Sequence, residues 1–314
     1  MQFLFDNFWT LTVTGLSQGS IYALVALGYT LVYGVLRLIN FAHSEVFMVG
    51  TFAALFTLHG LGLGSDDPIP ALGTVIGFVL IALVVAMLAS GATAVIVERV
   101  AYRPLRRRNA PTLVFLISAI GMSIAISEAV GVWQGRNVQR VPNLIAPVEV
   151  FRIGDARVDN RQILVIVSAI LMMVLLDQFI ARTRLGRGVR AVAQDPDTAT
   201  LMGVNRDQVI ALTFLLGGLM AGVAAVLYDL QFGVTRFDAG FLLGIKAFTA
   251  AVLGGIGNLR GALLGGLLLG LMENYGSALI GSQWRDVVAF VFLIVVLLIR
   301  PTGILGESLG KARA

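Results

Sequence analysis

Cysteine is absent, which excludes disulfides and thiolate metal sites without assigning a compartment. His43 and His59 are the only histidines, and two imidazoles do not complete a zinc site. Charge is scarce, with 13% of residues Asp, Glu, Lys or Arg, about half the usual share of a soluble domain. Lysine occurs only at Lys246 and Lys311. A P-loop needs a lysine after its second glycine, followed by Ser or Thr. Lys246 has no such setting, and Gly306 to Lys311 reads GESLGK, one residue short and followed by Ala312. The N-terminal MQFLFDNF carries no Lys or Arg, so a cleaved signal peptide is not expected and the first apolar segment stays.

What the chain has is apolar length. With 57% hydrophobic residues and a mean hydropathy of +0.88, it cannot hide its apolar surface in one soluble core. The expected fold class is an all-α polytopic membrane protein of about 8–9 transmembrane helices, some broken or re-entrant, forming one transmembrane domain over residues 1–314. Apolar segments lie at roughly 9–34, 42–61, 70–97, 111–132, 162–181, 208–231, 240–257, 261–281 and 286–300. Arg37, the arginines from Arg99 to Arg108, those within 182–207, Arg260, and Arg300, Lys311 and Arg313 fall on one side. By the positive-inside rule that side is cytoplasmic. The N-terminus, the acidic turn Ser65–Pro68 and the loop 133–160 then lie outside, and the C-terminus inside. Two features pull the other way. The outer loop and its edge hold Arg136, Arg140, Arg152, Arg157 and Arg161, and segment 240–257 is short and interrupted by Lys246, Gly254, Gly255 and Gly257. It is kept as a span because the basic tail requires a cytoplasmic end.

Glycines recur four residues apart at Gly15/Gly19, Gly218/Gly222, Gly261/Gly265 and Gly266/Gly270. That spacing lets helices approach closely where lipid gives no hydrophobic drive, although glycine is also simply common in membrane helices.

Three polar features interrupt the apolar chain. Residues 182–207, RTRLGRGVRAVAQDPDTATLMGVNRD, read as a short helical elbow on the membrane surface. Asp195-Pro196-Asp197 makes a turn or a helix start, and Thr198–Val204 can form a second short helical turn with Gly203 near its end. An ordinary solvated basic loop is the alternative. Asn40-Phe41-Ala42-His43-Ser44-Glu45 sits where the first two apolar segments meet, and side chains of this kind point into the protein interior. They either tie helix ends by hydrogen bonds or line a path or gate; a metal or proton-transfer site on His43 and Glu45 lacks further ligands. Among other ionisable groups, Glu128, Asp177 and Asp229 lie near segment ends, where they reach water. Lys246 and Glu273 lie deeper, as a structural pair or a hold on substrate.

These stretches carry a resemblance. LINFAHSEVFMVGTFAA, with GLSQGSIYALVALGYTLVYGVLRLI before it, resembles the hallmark of the shorter permease type of branched-chain amino-acid ABC transporters, with Ser44 where glycine is commoner. The elbow with TFLLGGLMAGVAAVL, and GGIGNLRGALLGGLLLG, are similar to stretches of the same family. The resemblance implies that Arg190, Ala191, Gln194, Asp195, Ala199, Met202 and Gly203 couple to an ATPase. It also implies a second, homologous permease subunit, two cytoplasmic ATPases that bind ATP and Mg, and an extracytoplasmic substrate-binding protein. No cofactor on this chain and no nucleic acid is expected; the setting is a multi-pass bacterial inner membrane protein. Asn40, His43, Ser44, Glu45, Lys246 and Glu273 are the candidates for the translocation path or gate. The resulting expectation is a non-enzymatic subunit of an ATP-driven importer of branched-chain or other hydrophobic amino acids. Alternatives are a urea or short-amide permease, or a secondary transporter using Glu45 or Glu273 as a proton site. A membrane enzyme would need a nucleophile–base or metal constellation that the sequence lacks.

Overall fold

A computed structural model describes residues 6–65 and 67–306. Asp66 of the acidic turn, residues 1–5, and Lys311 and Arg313 of the tail lie outside the described residues. A helix covers each of the nine apolar segments: α1 (Phe8–Leu36), α2 (His43–Gly60), α3 (Leu72–Val97), α5 (Thr112–Gln134), α6 (Asn160–Arg182), α9 (Arg206–Phe232), α10 (Ala239–Gly254), α11 (Leu259–Ile280) and α12 (Arg285–Ile299). Between α3 and α5 the helix continues through a π-turn (Glu98–Tyr102) into α4 (Arg103–Arg107). The elbow contains α7 (Arg184–Gln194) and α8 (Pro196–Leu201). Seven helical stretches among the described residues are long and apolar enough to cross a membrane. The two that fall outside that set are α2, which carries His43, Glu45 and His59, and α10, which has only 16 residues. Gly255 and Gly257, with φ of 105° and 98°, turn the chain between α10 and α11, a left-handed conformation that costs glycine little.

The chain divides into two compact units, one of residues 6–30, 147–174 and 246–306, the other of 31–146 and 175–245. In the second unit α2, α3 and α9 pack together, and small residues set the spacing. A Cβ on Gly222 would lie 2.6 Å from Met87 Cα, and one on Gly218 would lie 2.8 Å from Gly91 Cα. On α3 the Ser90 hydroxyl donates to the Val46 carbonyl of α2 at 3.0 Å. Met48, Phe52, Leu55, Val226 and Leu230 belong to the apolar cluster of this unit. The first unit repeats the device: a Cβ on Gly266 would lie 2.6 Å from Ala23 Cα, and one on Gly19 would lie 2.9 Å from Leu267 Cα. The glycine spacings thus mark contact faces of α1, α9 and α11.

Overpacking a core costs typically 1–3 kcal/mol, and more where backbone must move. Gly222→Leu and Gly266→Leu are therefore expected to abolish recovery of monodisperse protein in detergent. Gly121→Leu, at a site with nothing within 4 Å of the added Cβ, should be recovered normally. Equal recovery of all three would refute this packing.

The loop 133–160 carries strand pairing not anticipated from its sequence. β1 (Gln139–Arg140) pairs antiparallel with β4 (Val234–Thr235), and β2 (Glu149–Ile153) with β3 (Ala156–Asp159). The β2–β3 hairpin packs Ala156 and Val158 on Val13 of α1. At its tip Asp155 accepts the N–H groups of Trp9 and Thr10 at 3.2 and 3.1 Å and the Thr10 hydroxyl at 2.8 Å. It supplies acceptors that the free N-terminus of a helix lacks.

Candidate functional site

The elbow is built by three side-chain caps in sequence. Thr183 Oγ1 accepts the Gly186 N–H at 2.9 Å and starts α7. Asp195 ends α7 and starts α8, accepting the Thr198 hydroxyl at 2.6 Å and the N–H groups of Asp197 and Thr198 at 3.0 and 3.1 Å. Asn205 accepts the Gln208 N–H at 3.1 Å and starts α9. Each is a residue whose short polar side chain satisfies otherwise unpaired N–H groups. The Asp195–Asp197 stretch is therefore the helix start that its sequence suggests.

The Thr198 hydroxyl, then the two backbone N–H groups, hold the Asp195 carboxyl below the usual carboxylate range. A depressed folded-state pKa means that the cap is fully present above the unfolded value, about pH 4, and is lost as pH falls through the folded one. The elbow's second helix is thus expected to be insensitive to pH between 6 and 8 and to loosen only under stronger acid. Amide exchange at Thr198 through that range checks this; loosening near neutrality would contradict it.

The elbow exposes Leu201 and Met202, 87% and 81% accessible, side by side on a polar surface. Gly203 follows with φ of 85° and nothing within 4 Å of an added Cβ. Arg190, Gln194 and Asp195 are exposed, Ala191 is half-buried and Ala199 is buried. The root of the elbow is fixed by charge. Asp207 lies 3.1 Å from Arg103, 2.6 Å from Arg106 and 3.5 Å from Arg107. Arg106 also binds Glu98 at 2.9 Å, and Glu98 is 1% exposed. The sequence reading missed this knot, whose signal is an acid at the end of a long apolar segment with arginines one and two turns beyond.

The knot adjoins the second polar stretch. The Tyr102 hydroxyl, in the same π-turn as Glu98, lies 3.2 Å from both the Ile39 carbonyl and Asn40 Oδ1. Arg37, with φ of 53°, turns the chain after α1, and α2 begins at His43, so His43, Ser44 and Glu45 form its first turn as expected. The helix start has no side-chain cap. The Asn40 amide oxygen takes the Tyr102 hydroxyl, so that side chain is tied to the π-turn and does not cap α2. Glu45 is buried. Its Oε1 lies 3.2 Å from the Ser123 hydroxyl and 3.3 Å from that of Ser44. Its Oε2 has no hydrogen-bond partner among the described residues, and an added Cβ on Gly240 would lie 3.2 Å from it.

Lys246 and Glu273 belong to the first unit, separate from Asn40–Glu45, and they do pair, at 2.5 Å. The pair is part of a larger network: Lys246 also meets Asp286 at 2.6 Å, and Arg285 meets Glu273 at 2.8 Å. Two cations and two carboxylates thus compensate one another, with Lys246 and Glu273 buried. Of the three ionisable residues expected to reach water, Glu128 does so beside Arg136 at 2.6 Å, and Asp177 is half-buried. Asp229 is a correction: it is 4% exposed, because α9 continues to Phe232 and keeps it inside the packed face. No three metal-ligating side chains cluster among the described residues.

Residues 11–297 match the model of the branched-chain amino acid transport system permease component family. The chain belongs to this family. It is 48% identical to the high-affinity branched-chain amino acid transport system permease protein BraD of Pseudomonas aeruginosa, over 94% of each chain. To the corresponding permease protein LivH of Escherichia coli K12 it is 43% identical, over 93% of this chain and 94% of that one. Membership of a permease family and seven membrane-length apolar helices make it a multi-pass membrane permease subunit.

Proposed function

We propose that the chain is the shorter permease subunit of an ATP-driven importer of branched-chain amino acids in a bacterial inner membrane, forming half of the translocation path. In this reading it is a single permease domain with eight or nine spans, N-terminus outside and C-terminus inside. It works with a second permease, two cytoplasmic ATPases that bind ATP and Mg, and an extracytoplasmic binding protein that selects the cargo. The observation that carries the reading is near full-length identity above 40% to high-affinity branched-chain amino acid permeases. The shared side of the elbow and the Arg99–Arg108 segment, tied through Asp207, supports placing both in the cytoplasm.

The elbow offers the ATPase a small apolar knob, Leu201 and Met202, together with the exposed polar residues Arg190, Gln194 and Asp195. A push on it moves Asp207, and the arginines on Asp207 pass that movement to Glu98 and the π-turn, where Tyr102 holds Asn40. Asn40, His43, Ser44 and Glu45 respond as gate or path residues on the cytoplasmic side. Lys246 and Glu273, compensated by Arg285 and Asp286, act as a structural lock within the first unit.

Affinity purification from the native membrane tests the assembly: two ATPases and a second permease are expected to accompany the chain. Recovery of the chain alone, active under a proton gradient, would favour a secondary transporter. Cysteine placed at position 45, in a chain naturally free of cysteine, is expected to react with a water-soluble maleimide in one of the resting and ATP-trapped states. No labelling in either state would remove Glu45 from the aqueous path.

A further inference from the structure

A cleft of about 350 Å³ is lined by Arg99, Arg103, Pro104, Arg107 and Arg108. Arg99, Arg103 and Arg107 follow one another at four-residue spacing along the continuous helix that runs through the π-turn into α4, so their side chains gather on one face. Within Glu98–Arg108 five guanidiniums face a single carboxylate, Glu98, and the nearby Asp207 is shared by three of them. Arg99 and Arg108 have no carboxylate partner among the described residues.

The positive-inside rule asks only that arginines lie in this loop; it does not ask that they converge. Holding four like charges around one cleft raises their mutual repulsion, and an anion within it removes that cost. Immediately before the cleft on the same helix, Ile96 and Val100 are 56% and 60% exposed, one turn apart. This juxtaposes an exposed apolar turn, on a helix of membrane length, with a cluster of guanidiniums that can donate to phosphate oxygens in bidentate fashion.

We infer that Arg99, Arg103, Arg107 and Arg108 form a binding site for the phosphate of an anionic phospholipid whose acyl chain lies along Ile96 and Val100. Basic clusters beside transmembrane helices bind anionic headgroups by this chemistry. Arg103 and Arg107 also hold Asp207, so the lipid phosphate competes with and tunes the ionic tie at the elbow's root. The site does not depend on which solute the chain transports, only on its place in a membrane.

The test titrates full-length, delipidated protein in detergent with phosphatidylglycerol or phosphatidylcholine and reads bound lipid by native mass spectrometry. Phosphatidylglycerol is expected to bind selectively. R99Q/R108Q, two exposed positions, should weaken it on the order of 30-fold, about fivefold per basic residue lost, with phosphatidylcholine binding and thermal midpoint unchanged. I96S/V100S should weaken phosphatidylglycerol while leaving inorganic phosphate binding as it was. Undiminished phosphatidylglycerol binding in R99Q/R108Q overturns the site. If inorganic phosphate competes at equal concentration and I96S/V100S has no effect, the cleft holds a free phosphate and the lipid assignment fails. Loss of co-purified ATPase in R99Q/R108Q with lipid binding intact makes the arginines a protein contact, which also overturns it.

Discussion

Replacing Gly203 with valine is expected to lower ATP-driven uptake at least tenfold while the chain stays folded in the membrane. Nothing lies within 4 Å of a Cβ added at Gly203, so the effect comes chiefly from the backbone. At φ of 85° a β-branched residue is strained by roughly 1–3 kcal/mol, and the strain is relieved by re-aiming the turn that presents Leu201 and Met202. Those two side chains are the exposed apolar content of the elbow's tip. Gly203→Asn, which tolerates the left-handed region, should keep most of the activity. Met202→Glu should imitate valine by placing a charge where an apolar contact is required, and both impaired variants should lose the ATPase on purification. If Gly203→Val and Met202→Glu keep both ATPase and substrate-stimulated turnover, the elbow does not couple.

A comparably large effect is expected inside the knot beneath it. Arg106→Ala leaves Glu98, 1% exposed, without its cation, and breaking a buried pair from one side costs about 3–5 kcal/mol. It also removes the shortest of the contacts to Asp207. The expected outcome is a large fall in thermal midpoint, or no folded protein. Arg106→Met with Glu98→Met should recover much of that loss, because neutral side chains of similar length fill the site without an orphan charge. The rescued double variant should still transport poorly, since the link from Asp207 to the π-turn is gone. Normal uptake by it would show that the knot serves stability alone.

The elbow and the glycine contacts were legible in the sequence because both are local. A cap depends on residues two or three positions away, and Thr183, Asp195 and Asn205 each stand just before the helix they start. Close packing needs small residues at four-residue spacing, which Gly218 and Gly222 or Gly266 and Gly270 display on their own. What escaped depends on partners far along the chain. Nothing near Asp207 announces Arg103 and Arg106, and nothing near Asn40 announces Tyr102, so the partner of Asn40 could not be named from the sequence. Asp229 was misplaced because its position near a segment end says nothing about which helices cover it. The strands β1 to β4 are too short to show alternation, and Lys246–Glu273 was seen as a pair because Arg285 and Asp286 lie at the start of the next helix.

The most direct measurement is uptake of labelled leucine into proteoliposomes containing this chain, the second permease and the ATPases, with binding protein outside and ATP inside. The account predicts uptake that requires both ATP and the binding protein and is lost with Gly203→Val. Leucine uptake by the permease without ATPases, driven by a proton gradient, would contradict it.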